Sequence, residues 1–163
     1  MHETDEDIEH QERIMGAFLE RVLSRTPMVP TGWRLYRRPT VKGKVDHDYD
    51  VWLWHLHIGA VEVKRRTKYA TAFFEKNGWT VARDKLRHLI KMQKRGFHSL
   101  FLFEAGKDGR MFYVTIETIL ANRDRITPSR PEVSATTNHG KDRRQQPTEN
   151  YDIPHDLFRE VPQ

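Results

Sequence analysis

The 163-residue sequence contains no cysteine, which excludes a disulfide framework, thiol catalysis and any cysteine-ligated zinc or iron–sulfur centre. It contains no apolar run near the roughly 18–20 residues of a membrane span. Its opening Met1-His2-Glu3-Thr4-Asp5 is acidic where a signal peptide would be basic. Apolar residues are scarce as well, at 37% against 31% charged, so part of the chain is expected to be extended or loosely packed. What remains is a basic, intracellular protein long enough for one domain with one sizeable core, and with no membrane partner.

The net charge of +5 hides a polarised distribution. Residues 1–20 hold seven acids and one base, a net of −6, and the remainder is therefore +11. From Glu62 to His98 there are eleven Lys or Arg against three acids. A patch that dense favours a polyanion, of which nucleic acid is the commonest, although a solvated basic face explains it about equally well.

Hydrophobic periodicity predicts a first helix over Asp5–Ser24, with Ile8, Ile14, Met15, Phe18, Leu19, Val22 and Leu23 on one face. Trp33–Arg38 reads as a short strand, and Pro39–Lys44 as a basic loop. Asp48–His55 and Gly59–Arg66 are the clearest strands; about four residues separate them, which favours an antiparallel hairpin. Thr67–Thr80 reads as irregular, with Tyr69, Phe73, Phe74 and Trp79 among lysines. A second helix is expected over Val81–Arg95, ended by Gly96. Ser99–Phe103 reads as a buried central strand, Met111–Ile116 as a further strand, and Ile116–Arg123 as a short helix.

The expected organisation is a core domain over residues 1–122, a polar loop, hairpin or disordered segment over 123–150, and a C-terminal segment, 151–163, that could dock on the core. Arg123–Asn150 has only Ile126, Val133 and Ala135 as apolar residues, and five of the eight prolines lie beyond Thr127. The element order is that of an α/β domain with a mixed sheet, an antiparallel meander followed by a crossover helix.

One group of charges stands among strong β-formers. Glu62 and Lys64 are two apart in a strand and project to the same face. Asp50, on the neighbouring strand, can face the same way if the hairpin pairs as expected. Each such charge costs several kcal/mol to desolvate unless it is paired or metal-bound. An Asp/Glu pair suits Mg²⁺ or Mn²⁺, which keep waters and bind substrate phosphate. A nearby lysine can orient or help deprotonate water and offset phosphoryl charge. An isolated D…ExK match arises easily in a charged chain, and a half-exposed strand with Lys64 pairing to Glu62 or Asp50 is the plain alternative. The helix before the hairpin and the basic helix after it are what raise the match above that.

Over roughly Glu9–Ile116 the sequence resembles the PD-(D/E)XK nuclease superfamily, the restriction-endonuclease-like fold, in its α-β-β-β-α-β order and in Asp50, Glu62 and Lys64. The resemblance implies an α/β core with a mixed central sheet flanked by helices, and metal-dependent hydrolysis of DNA phosphodiester bonds. It assigns metal ligation to Asp50, Glu62 and the Val63 carbonyl, and the catalytic lysine to Lys64. Tyr49 stands where the family often has proline, which keeps Asp48 open as an alternative; Asp50 is preferred because it adjoins the hydrophobic strand body. Members similar to Holliday-junction resolvases add a first-helix glutamate, to which Glu12 in Glu12-Arg13-Ile14-Met15 corresponds, a solvated flank residue being its equal alternative.

His55 and His57, with His47 nearby, lack a clustered third ligand and read as turn histidines. Arg65, Arg66 and Lys68 follow the catalytic strand and are placed to hold the scissile strand. Arg83, Arg87, Lys91, Lys94 and Arg95 form a stripe on the second helix suited to phosphates, joined by His88. Lys85 lies off that stripe, where some members of the superfamily carry an auxiliary active-site residue. Tyr69, Phe73 and Trp79 either stack on unpaired bases or, the preferred reading, form a small core beneath their loop. No groove-reading motif is visible, which favours structure- or end-selective cleavage over sequence-specific cutting. Many nucleases of this fold dimerise, so a homodimer is one expectation. A phage or prokaryotic origin, with action in the cytoplasm (the host's, if phage-encoded), follows by analogy alone. The alternative function is a non-catalytic nucleic-acid-binding protein on the same fold.

Overall fold

The first helix, α1 (Asp5–Arg21), carries Asp5, Glu6 and Asp7 in its first turn and Arg21 in its last, charges that complement the helix dipole. Its buried residues are Ile14, Met15 and Phe18, and a single 3₁₀ turn, Leu23–Arg25, follows it. The computed structural model describes residues 5–26, 31–39, 47–129 and 149–163. Most of the expected Pro39–Lys44 loop, and residues 130–148 of the polar segment, lie outside the described residues. Among the described residues no helix is long and apolar enough to cross a membrane.

Three strands follow in an antiparallel meander: β1 (Trp33–Arg37), β2 (Tyr49–Leu53) and β3 (Leu56–Arg66). The turn between β2 and β3 is Trp54-His55, inside the stretch expected as the first strand of the hairpin, with Trp54 at φ 52°. The residues expected as the loop, Leu56, His57 and Ile58, belong to β3, which has a bulge opposite Val51/Trp52.

The expected irregular stretch Thr67–Thr80 is a short helix, α2 (Thr71–Asn77), and a strand, β4 (Trp79–Ala82). Gly78, at φ +74°, turns the chain between them. Asp108 Oδ2 accepts the Thr71 N–H at 2.7 Å, tying down the start of α2. The second long helix is α3 (Arg83–Lys94). It begins two residues later than expected because Val81 and Ala82 belong to β4. The chain then forms β5 (His98–Ala105), β6 (Arg110–Thr115), α4 (Ile116–Ala121), β7 (Thr127–Ser129), β8 (Asn150–Ile153) and β9 (Arg159–Glu160).

The main sheet is six-stranded and mixed, in the order β1-β2-β3-β5-β6-β9. Its centre is the parallel β3/β5 pair, reached through the α2–β4–α3 crossover. A second sheet, β4-β8-β7, places C-terminal residues against the crossover. Ile153 and Val161, at 0% and 2% exposure, are core residues.

Alternation along β3 and β5 separates two cores. Val61, Val63 and Leu102 pack with Tyr49 and Val51 against Ile14, Met15 and Phe18 of α1. Ala60, Phe101 and Phe103 face the other way, toward Leu86 and Leu89 of α3 and the stacked pair Phe74–Trp79. Each large side chain so buried contributes roughly 1.5–3 kcal/mol. Glu62 and Lys64, by the same alternation, lie on the α3 face.

Candidate active site

The β2/β3 ladder runs as far as Tyr49↔Val61. One step further, Asp48 N–H donates to the Val61 carbonyl at 3.0 Å. Past that point the next donor on this edge of β3, the Val63 N–H, has no strand opposite it among the described residues. The Asp48 side chain takes the place of the missing strand, its Oδ2 accepting that N–H at 2.7 Å. Asp48 is thereby held beside Glu62, its neighbour in register. A strand residue presents N–H and C=O along the same edge, so the Val63 carbonyl opens on the same side.

The bulge decides which face the aspartates take. Continued without it, the Leu53↔Leu56 register would set His47 opposite Glu62 and turn Asp48 and Asp50 toward α1. With it, Asp50 lies opposite Ala60, and both aspartates share the face of Glu62 and Lys64.

Glu62 is 0% exposed and sits between two ammonium groups. Lys64 Nζ is 2.6 Å from Oε1, and Lys85 Nζ of α3 is 2.9 Å from Oε2. The Lys85 contact is a hydrogen bond. The Lys64 contact is an ion pair without hydrogen-bond alignment, which leaves Oε1 a buried acceptor with no aligned donor among the described residues. Burial, followed by the charge of Glu62, raises the Asp48 pKa to about 6, against the opposing pull of Lys64, the Val63 N–H and Lys85. Burial also disfavours the charged form of Lys64, but the carboxylates of Glu62 and Asp48 outweigh it and raise its pKa. Lys64 is therefore an ammonium at neutral pH.

Asp50, preferred over Asp48 on sequence, is engaged elsewhere. Its Oδ1 lies 2.6 Å from His47 Nε2 and 3.2 Å from His57 Nε2, and its Oδ2 is 3.4 Å from Arg38. His47 is 2% exposed and continues to His88 of α3, Nδ1 to Nε2, at 3.0 Å. The structure therefore brings Asp48, Glu62, Val63, Lys64 and Lys85 together and gives Asp50 a histidine cage. Of the histidines read as turn residues, only His55 is in the turn; His57 is on β3 and His47 is buried.

Glu12 is exposed on α1, the helix that packs on the opposite face of the sheet, and is not part of the cluster. Arg65 also faces α1, where it and Arg13 both pair with the buried Glu104. It therefore does not adjoin Glu62. Arg66 bonds to the Thr80 carbonyl at 2.9 Å, and Arg83 pairs with Glu149. Lys68, Arg87, Lys91, Lys94 and Arg95 are exposed. Lys85, placed on sequence at the family's auxiliary position, meets Glu62 across the α3–β3 packing; the cage of Asp50 was missed although His47 and His57 are near it in sequence, because their reading as turn histidines set them apart from the aspartate.

Among the described residues no group of three or more His, Asp or Glu has the arrangement of a metal centre. The available donors are two carboxylates and one main-chain oxygen. That set fits Mg²⁺, which keeps several waters and uses one or two carboxylates together with substrate oxygens. The raised Asp48 pKa fits a cation as well, since burial leaves its carboxylate poorly solvated beside the Glu62 charge.

No family model matches the sequence, and no curated protein matches it. The fold is similar to that of a nuclease from a fusselovirus, with a TM-score of 0.57 and 13% identity over 99% of this chain and 90% of that one. At this identity the likeness establishes the nuclease-like α/β fold.

Proposed function

We propose that this protein is a divalent-metal-dependent endonuclease of the PD-(D/E)XK type that hydrolyses DNA phosphodiester bonds. The observation that carries the reading is the pairing of Asp48 with buried Glu62 on a sheet face that also carries Lys64. Asp48 and Glu62, with the Val63 carbonyl, would hold Mg²⁺ or Mn²⁺, which supplies Lewis-acid activation of water and neutralises phosphoryl charge. As an ammonium, Lys64 suits orienting the attacking water and offsetting charge on the phosphoryl oxygens better than it suits abstracting a proton. Exposed Lys91, Lys94 and Arg95 supply cations for the flanking phosphates. Structure- or end-selective cutting agrees with the lack of a groove-reading motif in the sequence.

Cleavage of branched, single-stranded and linear DNA with Mg²⁺ or Mn²⁺ tests this. Glu62→Ala and Lys64→Ala are expected to abolish cleavage while salt-dependent DNA binding persists. Cleavage that survives both EDTA and Lys64→Ala would refute the mechanism. One observation favours a second reading: two lysines already compensate Glu62, as a non-catalytic DNA-binding protein would need. That protein would bind DNA and show no metal-dependent nicking of any form.

A further inference from the structure

Arg66 lies two residues beyond Lys64 on the same strand face, roughly 6.6 Å along β3. There it borders a cavity of about 350 Å³ whose lining includes Tyr69, Phe73, Phe74, Thr80, Ser129 and Asp152. The cavity has an aromatic wall in two layers. Phe74 and Trp79, stacked at 3.6 Å and 3% and 0% exposed, fill the core beneath. Tyr69 and Phe73, stacked at 4.1 Å, form the outer layer and remain 37% and 41% exposed. The inner pair already closes the core, so the outer rings, each covering one face of the other, keep their remaining surface exposed beside the Arg66 end of β3.

The rim is polar and of mixed sign. One Arg66 N–H bonds to the Thr80 carbonyl, and its other donors are unengaged among the described residues. Asp152 accepts the Thr80 hydroxyl at 2.6 Å through Oδ1. The Ser129 hydroxyl is buried with no partner among the described residues. A carboxylate at the rim repels a phosphate, whereas it accepts from an exocyclic amino group as Asp and Glu do from cytosine. Stacking faces ringed by a donor, an acceptor and a hydroxyl match the faces and edge of a nucleobase, and the volume is at the low end of small-ligand pockets.

We propose that this cavity receives one unpaired base of the bound DNA, stacked on Tyr69 and Phe73. The inference rests on the nuclease reading and narrows its substrate class to DNA with an unpaired nucleotide close to the scissile phosphate: single strands, flaps, bulges or frayed ends. A fully paired duplex offers phosphates to the basic surface but no base to the cavity.

The test is fluorescence anisotropy in EDTA with the full chain, comparing oligodeoxycytidylate with a fully paired linear duplex closed by G·C ends across a salt series. Base–aromatic stacking predicts that Phe73→Ala, and more so Tyr69→Ala/Phe73→Ala, lowers the single-strand-to-duplex affinity ratio roughly tenfold. Tyr69→Phe and Phe73→Tyr keep the rings and are expected to keep the ratio. A ratio unchanged in the Ala variants overturns the base site and leaves the nuclease reading standing, as does an equal loss on both DNAs. Wild-type protein with no salt-dependent affinity for either DNA overturns the nuclease reading and the base site with it. Thermal unfolding of each variant separates lost stacking from lost fold; should the double variant unfold, Phe73→Ala alone decides.

Discussion

Replacing Asp48 by asparagine should abolish metal-dependent cleavage and make the metal-free protein more stable at neutral pH. The Asp48 pKa is raised from 3.8 to about 6, burial contributing most and the Glu62 charge next. About two units at roughly 1.36 kcal/mol each amount to about 3 kcal/mol by which folding favours the protonated form. A folded pKa above the unfolded one gives stability that is complete below 3.8 and is lost as pH rises through 6. At neutral pH the ionised group therefore costs the fold that amount. Asp48 is only partly buried, so solvent screening trims the figure to roughly 1–3 kcal/mol. The side-chain amide introduced by Asp48→Asn would still offer an oxygen to the Val63 N–H and would carry no charge. Urea denaturation in EDTA between about pH 4 and pH 8 should show the variant ahead by that margin at neutral pH, with the gain vanishing toward pH 4. Adding Mg²⁺ should then close the gap by stabilising the wild type alone. A variant less stable than wild type at neutral pH, or a difference that ignores pH, refutes the reasoning.

Asp50→Asn should leave metal-dependent cleavage within several-fold of wild type and lower stability by roughly 1–3 kcal/mol, because Asp50 anchors His47, His57 and Arg38; loss of cleavage equal to that of Asp48→Asn would restore Asp50 as a ligand. Lys85→Met removes one of the two cations on fully buried Glu62, so stability should fall by roughly 1–3 kcal/mol, while Mg²⁺ affinity measured by calorimetry should rise, since an ammonium no longer competes for Oε2. Gly59→Ala would set a Cβ 2.3 Å from the His98 carbonyl oxygen, forcing β3 away from β5; a destabilisation of roughly 1–3 kcal/mol by denaturant titration is expected.

The sequence pattern carried the Glu62–Lys64 pair because alternation within one strand is local: two residues apart means one face. It carried α1, α3 and β5 for the same reason. The choice between Asp48 and Asp50 depends on register, and register depends on a two-residue turn plus a bulge at Val51/Trp52, neither of which has a turn signature in Trp54-His55. Nothing in the spacing distinguishes two aspartates on one face until the ladder end at Tyr49↔Val61 is known. β4 was hidden because Trp79–Ala82 pairs with Asn150–Ile153, some seventy residues away and beyond the most polar stretch of the chain. Tyr69, Phe73 and Trp79 look alike in the sequence, and the structure divides them: Trp79 is core, while Tyr69 and Phe73 are exposed.

The main sheet holds two buried glutamates, and their partners explain why only one marks the candidate active site. Glu104, 3% exposed on the α1 side, is clamped by Arg13 and Arg65. Guanidinium groups keep their charge at any ordinary pH and fork onto a carboxylate with matched geometry, so that cluster is closed. Glu62, on the α3 side, is held by two lysines, compact charges on flexible stems that leave a carboxylate with less reorganisation. Beside it stands Asp48, whose charge the same lysines do not fully compensate. A divalent cation would gain two carboxylates there against one at Glu104, and would displace lysine ammonium groups rather than forked guanidinium groups to reach them. Exchangeable partners, more than burial or charge alone, separate the proposed metal face of this sheet from its closed one.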